Sequence, residues 1–90
     1  MFTTYILHSK LLDKFYIGFT GDNVQARLTK HLANHKGFTA KAKDWTVVYT
    51  EIFSSKAAAM KREKKLKGWK NSAKIKELID RSSSRLLSGE

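Results

Sequence analysis

Tyr5 and Tyr16 each stand inside a short stretch rich in aromatic and β-branched residues, with Gly18 two places after the second. Arg27 and His31 follow at an i,i+4 spacing, and Glu63 comes much later among lysines. Two phenol oxygens at one end of a strand pair could bind a water and a phosphate. Residues four apart share one face of a helix. A guanidinium on that face is permanently charged and planar, which suits the extra negative charge of a phosphoryl transition state. A histidine beside it can orient a phosphate oxygen or take a proton near neutral pH. A single carboxylate can be the protein ligand of a magnesium ion, which keeps most of its waters and shares substrate phosphate oxygens. In this order the residues have the layout of a small phosphodiesterase.

Each has a plainer reading. Tyrosines are common in strands, where the ring is buried and the hydroxyl stays wet. A glycine inside a strand weakens it, and it often marks close approach by a ligand or by another stretch of backbone. Arg27 alone would read as a solvated surface residue and His31 as a half-buried structural one. Glu63 within Lys61-Arg62-Glu63-Lys64-Lys65-Leu66-Lys67 would most often belong to a salt-bridged surface. Glu51 and Asp22 are rival carboxylates. The ordered set outweighs the plain readings of its members.

That set, from about Thr3 to Ile79, resembles the GIY-YIG nuclease family, especially its stand-alone single-domain bacterial members. Thr3-Thr4-Tyr5 stands where the family name has Gly-Ile-Tyr, and Tyr16-Ile17-Gly18 matches the second motif. The resemblance implies that Tyr5, Tyr16, Arg27 and His31 are catalytic and that Glu63 binds the metal, Mg²⁺ or Mn²⁺. It also implies in-line hydrolysis of a phosphodiester leaving a 3′-hydroxyl and a 5′-phosphate. Relatives commonly have a proline before the tryptophan at Trp45, where this chain has Asp44.

Positioning these groups requires a sheet and helices. Phe2 to His8 and Phe15 to Thr20 read as strands joined by a short connection, hence an antiparallel hairpin. Gly21-Asp22-Asn23 offers caps for a helix from about Val24 to His35, with Val24, Leu28, His31 and Leu32 on one face and Lys36-Gly37 closing it. A polar loop follows. Trp45 to Phe53 alternates regularly, with Trp45, Val47, Tyr49, Glu51 and Phe53 on one side, and both sides carry apolar residues. Ser54-Ser55 caps a second helix to about Gly68, and Asn71 caps a third with Ile75, Leu78 and Ile79 as its stripe. The expectation is an α/β fold of order ββαβαα, a small three-stranded antiparallel sheet flanked by helices. Residues 1–80 would be the nuclease-like domain and the serine-rich 81–90 a frayed tail.

Ninety residues carry a formal charge of +10 and no cysteine. The length suits one domain, and a disulfide or thiolate metal framework is excluded. The charge calls for a polyanionic partner, because cations that neutralise phosphates release condensed counterions. The lysines crowd Lys30 to Lys43 and Lys56 to Lys76. Gly18, Lys64, Lys65 and Lys67 are therefore the expected nucleic-acid contacts, with DNA ahead of RNA. Phe38, Trp45 and Trp69 among lysines could stack on unpaired bases, though tryptophans are more often core residues. No apolar run approaches the ~20 residues of a membrane span, and the start Met1-Phe2-Thr3-Thr4 lacks a secretory pattern. A cytoplasmic protein that binds no membrane is expected. The rival readings are a non-catalytic nucleic-acid-binding module that retains the fold, and a small basic RNA-associated protein.

Overall fold

The computed structural model describes the backbone over residues 1–33 and 37–88, and side chains over the same span apart from 38 and 83–88. His35, Lys36 and the Phe38 ring lie outside the described residues. The elements are β1 (Phe2–Ser9), β2 (Lys14–Thr20), α1 (Val24–Ala33), a short 3-10 turn (Phe38–Lys41), β3 (Thr46–Phe53), α2 (Lys56–Gly68) and α3 (Ser72–Ser88). The expected order ββαβαα is observed, and the sheet is antiparallel throughout with strand order β2-β1-β3.

β1 is central, and both its faces are covered. On one face Tyr5 and Leu7 pack with Ala42 and Trp45, against Val24, Leu28 and Leu32 of α1. On the other, Ile6 packs with Ile17 and with Leu66 and Ile75 from α2 and α3. Alternate residues of one strand thus fill two separate clusters, as the period of two demands. Trp45 is 2% exposed and its indole N–H donates to the Thr39 carbonyl at 3.0 Å. It is a core residue and no base platform.

β3 departs from strict alternation. Ile6 pairs with Tyr49 but Leu7 pairs with Val47, so Val48 is an extra residue in the strand. A bulge shifts the register by one and exchanges the faces beyond it. Val47 accordingly packs on the α1 side, while Tyr49 turns to the α2–α3 side. Glu51 goes the same way: Tyr49 Oη donates to its Oε2 at 2.7 Å and Arg62 Nε of α2 donates to the same oxygen at 3.3 Å. The expectation of Trp45, Val47, Tyr49 and Glu51 on one face is corrected.

The helices start where their caps predict. Asn23 Oδ1 accepts the N–H of Gln25 at 2.8 Å, Ser55 Oγ that of Ala58 at 3.2 Å, and Asn71 Oδ1 that of Ala73 at 2.9 Å. α3 carries on through residues 81–88, the segment expected to fray. Arg81 pairs with Glu77 at 2.8 Å one turn back along it. None of the described helices is long and apolar enough to cross a membrane.

Candidate active site

Tyr5 and Tyr16 do not face each other across the hairpin. Tyr5 pairs with Gly18, and Tyr16 pairs with Leu7. They are diagonal neighbours, which aromatic rings can still bridge. Gly18 makes the convergence possible. A Cβ built there would lie 2.7 Å from Tyr5 Oη, 2.9 Å from its Cζ and 3.2 Å from Tyr16 Cε1. What approaches this glycine is the side chain of Tyr5, a reason the sequence alone did not offer.

α1 completes the cluster. His31 is 7% exposed, with Nε2 3.0 Å from Tyr5 Oη and Nδ1 3.3 Å from Thr39 Oγ1. Its ring meets those of Tyr5 and Tyr16 edge-on, at centroid distances of 6.1 and 4.8 Å. Burial, then the Arg27 charge, hold its pKa below the ordinary value. The imidazole is therefore neutral at physiological pH, with one nitrogen donating and the other accepting.

Tyr5 is 1% exposed, and burial pushes its phenol pKa up. A hydrogen bond from Arg27 pulls it down, the Tyr16 phenol raises it, and the charges of Arg27 and Glu63 act with opposite signs. Tyr5 thus feels Tyr16, Arg27 and Glu63 together. Burial prevails, so Tyr5 keeps its proton at neutral pH. Arg27 and Tyr16 are both half-buried, open enough for substrate to reach.

Glu63 enters from α2 with its side chain 15% exposed, and its Oε2 lies 3.6 Å from Lys67 Nζ. α2 is pinned beneath it. Buried Thr4, beside Tyr5 on β1, donates its hydroxyl to the Ala59 carbonyl at 2.8 Å, one turn before Glu63. Arg62 is held by Glu51 and lies 6.0 Å from the centroid of the Trp69 ring. Glu51 is thus engaged in holding α2. Asp22 is exposed at the turn before α1.

The lysines separate by position. At about 100° per residue, Lys67 sits roughly 40° around α2 from Glu63, Lys64 about 100° and Lys65 about 160°. Lys67 also lines a surface pocket with Phe15, Tyr16 and Ile17. Lys64 and Lys65 are exposed on the outer side of the helix. Lys43, in the first lysine-rich stretch, donates to the Leu32 carbonyl at 2.8 Å and closes the end of α1.

Thr4 and Thr39 escape sequence reading, because a threonine in a strand or polar loop carries no mark of what its hydroxyl will meet. Asp44 had a signal, the departure before Trp45. Its carboxylate accepts from Ser9 Oγ at 2.6 Å and from the Leu11 N–H at 2.9 Å, tying the β1–β2 turn to the start of β3. Those two bonds, the Ser9 one foremost, lower its pKa.

A metal ion would find one hard ligand here. Among the described residues no group of three or more His, Cys, Asp or Glu side chains gathers to hold one. The mostly buried carboxylate of Glu63 fits a magnesium-like ion that takes its remaining ligands from water and phosphate.

The chain is 38% identical over 71 residues to the UPF0213 protein SH2523 of Staphylococcus haemolyticus (strain JCSC1435), covering 77% of this chain and 84% of that protein. No solved structure matches it. The GIY-YIG catalytic domain matches residues 1–76, which include both tyrosines, Gly18, Arg27, His31 and Glu63. The chain belongs to the GIY-YIG family of nucleases.

Proposed function

We propose that the protein is a metal-dependent endonuclease that hydrolyses phosphodiester bonds in nucleic acid, DNA ahead of RNA. The observation that carries this reading is the cluster of Tyr5, Tyr16 and His31, with the charges of Arg27 and Glu63 near enough to act on the Tyr5 phenol, drawn from two strands and two helices. A purely structural tyrosine would need only one partner for its hydroxyl.

Arg27 would hold two oxygens of the scissile phosphate through its planar fork and stabilise the charge that develops there. Tyr5 is sealed from solvent and already bonded to His31, so it anchors the site. Tyr16, half-buried beside the pocket that Lys67 lines, is the phenol that the attacking water reaches. As the water attacks phosphorus, its proton would pass to the Tyr16 oxygen while that phenol's own proton leaves to solvent. His31, with its ring nitrogens engaged by Tyr5 and Thr39, would hold the two tyrosines in place. Glu63 would hold Mg²⁺ or Mn²⁺, which when bound neutralises charge on the phosphate and leaving oxygens. Lys67 would sit against the substrate backbone beside that carboxylate.

Glu63→Gln is the direct test, since a neutral amide is a far poorer ligand for a hard cation than a carboxylate. Cleavage of a labelled duplex in limiting Mg²⁺ should be lost while binding without metal persists. A variant that cuts at the wild-type rate would remove Glu63 from the metal. Wild-type binding with no cutting in either Mg²⁺ or Mn²⁺ would instead favour the non-catalytic module.

A further inference from the structure

A second pocket opens beside the site, between β2 and the junction of α2 with α3, with a volume of about 410 Å³. That is within the range of clefts that enclose a small ligand, roughly 300–1,000 Å³. Lys14, Lys67 and Lys70 line it, over an apolar wall that includes Phe15, Ile17 and Ile75. It shares Phe15, Ile17 and Lys67 with the smaller pocket at Tyr16. The two are therefore continuous along one edge of the sheet. Asp13 is the carboxylate in this lining, and its Oδ1 lies 3.3 Å from His8 Nε2.

Lys70 is placed at a cost. It follows the last residues of α2 with φ 48°, the left-handed position after a helix that glycine or asparagine occupies with least strain. The chain keeps a lysine there, and the turn sets it on the pocket wall. An outlier of this kind points to use of the side chain it presents.

We propose that this pocket is a second phosphate subsite, which receives the backbone phosphate neighbouring the scissile one. Lys14 and Lys70 hold its oxygens, and the adjoining sugar lies on the apolar wall. Lys67 stands between the two phosphates, next to Glu63 on one side and in the pocket on the other. The nucleic-acid backbone thus runs from Tyr16 along β2 toward the α2–α3 junction, away from Lys64 and Lys65. The assignment rests on the nuclease reading for the scissile phosphate, but it predicts binding, which is measured without metal or cleavage.

The experiment is a salt titration of equilibrium binding by fluorescence anisotropy, with EDTA present and a labelled DNA duplex as probe. Each phosphate contact contributes about 0.9 to the magnitude of the log–log slope. Lys14→Gln and Lys70→Gln should each make the slope shallower, the double variant by about that amount because the two lysines share one phosphate, and Lys70→Arg should keep the wild-type slope. Lys61→Gln, on the outer side of α2, removes the same charge and should leave the slope at the wild-type value. Unchanged slopes for Lys14→Gln and Lys70→Gln overturn the subsite while leaving the Glu63 test standing. An equal change in Lys61→Gln overturns it too, since the effect would then be general charge. A wild type that does not bind the duplex overturns this subsite and leaves the nuclease reading to the Glu63→Gln cleavage test.

Discussion

At the scale of single residues, the site is organised around a missing side chain. Gly18 leaves the volume into which the Tyr5 ring leans, and the Tyr5 hydroxyl meets His31 there. A Cβ at Gly18 would have to displace Tyr5 Oη and Cζ, both under 3.0 Å away. The ring has little room to yield, because it is 1% exposed and its hydroxyl is bonded to His31. Gly18→Ala is expected to destabilise the fold by about 1–3 kcal/mol, as overpacking does. It should reduce the single-turnover cleavage rate beyond what the loss of folded protein explains, by pulling Tyr5 off His31. Thermal unfolding and single-turnover kinetics on the same preparation measure the two effects. An alanine variant with wild-type stability and rate would mean that Tyr5 has freedom the packing does not show.

At the scale of elements, α2 matters because it would carry Glu63, the proposed metal ligand, to a candidate site otherwise built from β1, β2 and α1. Two ties fix it. The Glu51–Arg62 pair holds one side, and the Thr4 hydroxyl bonds the Ala59 carbonyl, the acceptor one turn before Glu63 in an α-helix. Thr4→Val keeps the shape and removes the hydroxyl. It should cost about 1 kcal/mol of stability, the net worth of one such bond. If the bond also positions Glu63, half-maximal cleavage should need more Mg²⁺, and Thr4→Ser should bring the requirement back. An unchanged Mg²⁺ requirement in Thr4→Val would reduce this threonine to a packing residue. Much at this scale was legible beforehand. Alternation marked β1 and β3, the short connection before Phe15 marked the hairpin to β2, and Asn23, Ser55 and Asn71 marked the helix starts, because these signals are local. The exchange of faces at Val48 was not legible, since a bulge depends on how β3 registers against β1 and not on its own residues. The i,i+4 spacing of Arg27 and His31 put them on one face correctly, whereas the seating of Tyr5 on Gly18 required the hairpin register. The helical course of residues 81–88 was also unforeseen, because its serines give neither a strong stop nor an apolar stripe.

For the whole molecule, the question is how a charge of +10 is spent. Some of it is structural: Lys43 closes α1, Arg62 ties α2 to β3, and Arg81 pairs along α3. Lys14, Lys67 and Lys70 gather at the pockets beside the site. Lys64 and Lys65 are exposed on the far side of α2, where a strand seated along β2 would not reach them. On that path their remaining effect would be through the field of the molecule, which draws a polyanion in before any contact forms. Such attraction is screened within about 10 Å at 0.1 M salt and extends further at lower ionic strength. Replacing Lys64 and Lys65 together by Gln should therefore slow association with a DNA duplex at low salt. The difference should vanish as salt rises, and the dissociation rate should stay near that of the wild type. Stopped-flow association and dissociation rates across a salt series separate these quantities. A faster dissociation at every salt concentration would place the two lysines on the bound backbone, and the path along β2 would then have to extend around α2.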